Sequence, residues 1–129
     1  MTAVDDNPYR IQVYVETEYL EDQSDEDNQR WVFAYHIRIL NQGDMTARLL
    51  TRHWVITDGE ERTREVHGEG VVGEQPSIAP GQEFQYSSGA VLETEVGTMH
   101  GSYQMLAEDG TCFDAEVPAF TLAVPRALH

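Results

Sequence analysis

Three glycines and four arginines are the residues of this chain best suited to chemistry. Val66-His67-Gly68-Glu69-Gly70-Val71-Val72-Gly73-Glu74-Gln75-Pro76 spells G-x-G-x-x-G, a spacing that in dinucleotide-binding folds lets backbone approach a pyrophosphate. Arg48, Arg52, Arg62 and Arg64 lie just ahead of it and make up half of the 8 basic residues, all of them arginines. Guanidinium groups match phosphate oxygens in a bidentate fork. Gly68, Gly70 and Gly73 with Arg52, Arg62 and Arg64 are therefore the candidate ligand-binding set, and pyrophosphate or a nucleotide is the ligand class. The dinucleotide reading also needs a helix N-terminus directly after the glycines. Pro76 and Pro80 follow instead, and a helix cannot start across that spacing. A nicotinamide or flavin enzyme is not expected, and an anion held here lacks a helix dipole and binds weakly. The structural alternative is a turn or bulge where backbone passes close to backbone and no Cβ fits.

The remaining reactive residues assemble into no recognisable set. Ser87-Ser88-Gly89 lacks the nucleophile-elbow pattern and has no obvious histidine partner. His67 has Glu65 and Glu69 in reach, but one imidazole and two carboxylates are a poor donor set. His53 is opposite in parity to Trp54 and reads as an ordinary strand histidine facing away from it. Cys112, the single cysteine, forms no internal disulfide and reads as small apolar filler in a strand. The acidic run Glu21–Asn28 lacks the spacing of a calcium loop and reads as a solvated connection. Trp31 and Trp54 read as core anchors. No catalytic residue, metal or cofactor is expected.

Charge narrows the partners. With 129 residues and a formal net charge of -15, the surface repels phosphate backbones, so nucleic acid is not an expected partner. No apolar run approaches the roughly 20 residues that span a bilayer, so neither is a membrane. The N-terminus has no basic and apolar leader. Residues 1–8 read as a disordered lead-in to one domain over 9–129, and the expected location is cytoplasmic.

The elements that must position these residues follow a period of two. Ile11, Val13 and Val15 alternate with polar neighbours, as do Trp31, Phe33, Tyr35, Ile37 and Ile39. Leu50, Trp54 and Ile56 mark a third strand from about Ala47 to Thr57. Phe84 and Tyr86 mark another, Tyr103, Met105 and Ala107 the next, and Phe113, Ala115 and Val117 one more. Phe120, Leu122 and Val124 end the pattern after a break at Pro118. Turn residues stand between these runs, with Asp109-Gly110 predicting a two-residue hairpin whose central residues both have positive φ. Seven or eight short strands at this spacing predict an all-β, antiparallel β-sandwich.

Several stretches also resemble the ApaG family, also called CorD. They are Arg52-His53-Trp54-Val55-Ile56-Thr57-Asp58-Gly59, Gly68 to Pro76, Pro80-Gly81, Ser87-Ser88-Gly89, Gly97 to Met105 and Val124-Pro125-Arg126-Ala127-Leu128. The resemblance runs from about Tyr9 onward. It implies an immunoglobulin/fibronectin type III-like sandwich and supplies no catalytic residues. It also implies a non-enzymatic accessory role, foremost as a protein-interaction module with an unidentified protein partner, as a monomer or homodimer. Two alternatives accompany it: binding of a small anion through Gly68–Gly73, and an accessory part in cobalt resistance and magnesium efflux.

Overall fold

The period-two runs become strands in the computed structural model, which describes residues 7–128. The strands are β1 (Ile11–Tyr19), β2 (Trp31–Asn41), β3 (Ala47–Asp58), β4 (Thr63–Glu69), β5 (Ser77–Ile78), β6 (Glu83–Leu92), β7 (Val96–Ala107) and β8 (Cys112–Ala123). One sheet has the order β1-β2-β6. The other has the order β4-β3-β7-β8, with β5 paired to the start of β3. Every pairing is antiparallel. This is the expected all-β sandwich, with eight strands.

Alternation drives the packing. Phe33, Ile37 and Ile39 of β2 are buried against Leu49, Trp54, Met99, Tyr103, Met105 and Leu122 of the facing sheet, and removal of this apolar surface from water is the main stabilising term. The Tyr86 and Tyr103 hydroxyls pair at 2.6 Å inside the core. Burial pushes both phenols above their ordinary value, and the nearby Arg52 charge pulls the other way. Pro8 accepts a hydrogen bond from the Asp44 amide at 3.0 Å. Residues 1–6 of the expected lead-in lie outside the described residues.

Four local expectations change. In β3 it is Leu49, not Leu50, that shares the buried face with Trp54 and Ile56. A bulge between Leu49 and Thr51 resets the parity. Pro118 does not break a strand, because β8 runs through it as a sheet edge, where a missing donor is tolerated. The register against β7 shifts there, between Met99 and Gly101. The Asp109-Gly110 connection is a three-residue loop closed by Ala107 N–H to Thr111 O at 2.8 Å. Only Gly110 in it has positive φ, at 87°. Cys112 is exposed and not filler.

Candidate functional site

The glycine segment straddles the end of β4 and a tight hairpin. Gly68 is still in the ladder, opposite Arg52. Beyond it, Val71 and Glu74 form an antiparallel bridge, with Val71 N–H to Glu74 O at 2.8 Å and Glu74 N–H to Val71 O at 2.9 Å. Between them Val72 and Gly73 have φ of 43° and 82°, the positive pair that a two-residue hairpin matching strand twist requires. Each glycine has its own steric cause. A Cβ at Gly68 would lie 2.6 Å from the Arg52 guanidinium, and one at Gly70 (φ 61°) would collide with the Glu74 carbonyl. Gly73 needs only its dihedral, since nothing lies within 4 Å.

The donors of this loop are largely spent on the loop itself. The Gly70 amide donates to Leu50 O at 2.8 Å, and Gln75 Nε2 reaches the same bulged carbonyl at 2.9 Å. Arg52 Nη1 donates to the carbonyls of Glu69 (3.1 Å) and Gly70 (2.8 Å). Arg48 turns to the Gln75 carbonyl at 3.1 Å. The hollow beside the loop, about 380 Å³, is lined by Arg48, Glu69, Gly70, Gly73, Glu74 and Gln75, so two carboxylates face one guanidinium.

The arginines converge elsewhere. β4 and β6 are each the outer strand of their sheet, and on this flank the sandwich opens into a cleft with two connected hollows. One, about 390 Å³, is lined by Arg30, Ile56, Asp58, Arg62, Thr63, Arg64, Val91, Leu92 and Glu93. The other, about 330 Å³, shares Ile56, Arg64 and Val91 and adds Arg52, Trp54, Val66 and Ser88. The register explains the grouping: Arg52 and Arg64 lie opposite Gly68 and Ile56, on the inward face of β3 and β4. Arg64 Nη2 spans the cleft to Val91 O at 2.8 Å. Arg62 is held by Asp58 at 2.7 Å, with Glu60 and Glu93 at 3.2 and 3.4 Å. Burial pushes the Asp58 carboxyl up. The backbone amides of Arg62 and Glu60 and the Arg62 guanidinium outweigh it and leave the group below the usual carboxylate value. Trp54, 2 % exposed, walls the cleft, and its Nε1 has no hydrogen-bond partner among the described residues.

Of the predicted set, then, Arg52, Arg62 and Arg64 share this cleft, while Gly70 and Gly73 line the other hollow and Gly68 lies under Arg52. Arg30 joins the arginines unforeseen, because it precedes β2 and only sheet stacking brings it near β4.

Two further constellations lie on the outer faces. Ser87 does have a histidine partner, contrary to expectation. His36 Nδ1 is 2.6 Å from Ser87 Oγ, and His36 Nε2 is 3.1 Å from Glu18 Oε1. The three come from β6, β2 and β1, a cross-strand relation invisible in linear order. The ring has the reverse orientation of the usual serine triad, in which Nε2 faces the hydroxyl, and the chain is exposed at His36 and Glu18 (42 and 57 %). On the other sheet His53 stacks on His67 at 4.2 Å, beside Glu65.

Comparison with known proteins was consistent with this architecture. A family model described as the ApaG domain matches residues 21–107. Protein ApaG of Aromatoleum aromaticum is 63 % identical over 121 residues, covering 94 % of this chain and 95 % of the relative. Protein ApaG of Pseudomonas putida is 59 % identical over 124 residues, covering 96 % and 98 %. A crystal structure of the ApaA protein from Bordetella pertussis superposes with a TM-score of 0.90 at 49 % identity, covering 93 % of this chain and 98 % of that one.

Proposed function

The chain belongs to the ApaG domain family, and we propose that it is a non-enzymatic protein-binding module. In this reading it takes an extended, carboxylate-bearing segment of a partner protein along the β4–β6 flank. The observation that carries the reading is the convergence of Arg30, Arg52, Arg62 and Arg64 on a cleft between two strand edges that no other strand pairs among the described residues, in a chain whose net charge is -15. A free edge offers unpaired backbone groups to an added strand. Guanidinium groups pair with carboxylates in a bidentate fork at close range, although the overall charge slows the approach of acidic partners. Arg30 has no ion-pair or side-chain hydrogen-bond partner among the described residues, so it is the uncommitted cation of the group.

Titration of isotope-labelled protein with a glutamate-rich decapeptide tests this. Amide shifts are expected in residues 62–66 and 88–93 and at Arg30, weakening with salt and lost in an Arg30→Ser/Arg64→Ser variant. Shifts confined to residues 66–76 would favour the small-anion alternative, and no shifts would reject the binding flank. The Ser87-His36-Glu18 relay supplies the test of the non-enzymatic half. Purified protein should turn over neither nucleoside polyphosphates nor an activated ester, and hydrolysis that disappears in Ser87→Ala would overturn it.

A further inference from the structure

We propose that His53, His67 and Glu65 form a binding site for a late first-row divalent metal ion, of the Zn(II) type, on the outer face of the β4-β3-β7-β8 sheet. The β3–β4 register places His53 directly opposite His67 and Val55 opposite Glu65, so the three side chains leave the same face of two neighbouring strands. One donor atom from each lies within 4.8 Å of the other two. His53 Nε2 already sits 2.8 Å from Glu65 Oε1, and the two imidazole rings lie parallel, 7° apart in plane.

Ligands of a single ion held at about 2.0–2.2 Å stand roughly 3–3.5 Å from one another. Closing the triangle needs about 1 Å of side-chain movement on that criterion, which exposed His67 and Glu65 can make without moving the strands. The ion takes the place of the proton now shared between His53 and Glu65, with His67 tilting from its stack to supply the third bond. Two imidazoles and one carboxylate suit zinc, nickel or copper, whereas magnesium and calcium select oxygen ligands. The neighbours favour a cation as well. Glu69 is two residues on from His67 along the same face of β4, Arg52 and Arg64 occupy the opposite face, and Arg48, the other arginine of these strands, lies five residues before His53 and donates to the Gln75 carbonyl. The formal charge of -15 raises the local concentration of any cation. Three protein donors leave coordination positions open to water, the pattern of an accessible site rather than a closed structural one. This assignment is independent of the β4–β6 cleft, which lies on the other side of β3 and β4.

Calorimetric titration of the full chain with Zn(II), in a large excess of Mg(II), is the direct test. Saturable, equimolar binding is expected, with the ring signals of His53 and His67 shifting in the NMR spectrum while that of His36 stays in place. Replacement of either histidine, His53→Gln or His67→Gln, should weaken binding by about 10- to 100-fold or more, and Glu65→Gln by about 10-fold. His36→Gln, on the other sheet, should leave it unchanged. Circular dichroism establishes that each variant is folded. A wild-type chain that binds no Zn(II) under Mg(II) competition ends the proposal without any variant, as does binding that persists in folded His53→Gln/His67→Gln.

Discussion

The glycine hairpin and the arginine cleft are made from adjoining stretches of chain, yet they relate to the sequence in opposite ways. The hairpin has a conspicuous linear motif, and its amides, its Arg52 contacts and its glycine dihedrals are mostly consumed in holding the loop together. The cleft has no linear motif, and its residues come from Arg30, β3, β4 and β6. A glycine pattern reports where backbone must pass close to backbone. A binding surface needs groups whose hydrogen-bonding capacity is left over, and Arg30, exposed and without a side-chain partner among the described residues, is such a group.

The largest effect that separates the two regions is at Gly70. Gly70→Ala forces a Cβ onto the Glu74 carbonyl at positive φ and should cost about 2–4 kcal/mol in chemical unfolding. Gly73→Ala meets only the dihedral penalty and should cost about 1 kcal/mol. Equal losses at both positions would mean that the hairpin is looser than its hydrogen bonds imply.

Arg52 belongs to both regions, walling the cleft while its guanidinium covers Gly68. Arg52→Met removes two hydrogen bonds to loop carbonyls and should destabilise by about 1–3 kcal/mol. It also clears the space that a Cβ at Gly68 would need. Gly68→Ala should therefore be milder in the Arg52→Met background than alone, and an additive double-mutant cycle would separate the two residues.

Val72 gives a smaller effect of opposite sign. A β-branched residue at φ 43°, 56 % exposed, is strained, and asparagine suits that hairpin position better. Val72→Asn should stabilise the domain by about 0.5–1 kcal/mol, read as a higher melting temperature. A loss would show that the valine side chain is packing where the structure shows it exposed.

The smallest effect is a dependence on pH at the mouth of the cleft. Asp58 has a depressed carboxyl, so its stabilisation is present above the unfolded value of about 3.9. It is lost as pH falls through the lower folded value. Asp58→Asn should flatten the acid side of the stability profile relative to wild type while leaving Arg62 able to donate to the side-chain oxygen. Parallel profiles would mean that the Asp58–Arg62 contact contributes nothing in solution.

Much of the sandwich was legible because alternation is a local property. The buried faces of β1, β2, β6 and β7 follow from which residues are apolar at every second position. β4 was not foreseen as a strand, since Thr63–Glu69 has only Val66 as an apolar residue and owes its ladder to β3. The phase of β3 was lost at Leu50 because a bulge is one extra residue with no sequence mark of its own. Ser87 and His36, and His53 and His67, carry no mark of one another in linear order, because each pair is joined only by strand register.

The sequence by itself determined the period, the places where turns fall, the acidic surface and the family, because each is a property of neighbouring residues or of composition. Tertiary structure alone decided which sheet each strand joined, and so which side chains meet. It turned Arg52 inward over Gly68, set Arg64 across from Val91, and laid His53 against His67. The physical reason is that a strand's hydrogen bonds and half of its packing come from partners far away in the chain. Its own residues fix the alternation of its faces, and its neighbours fix what those faces touch.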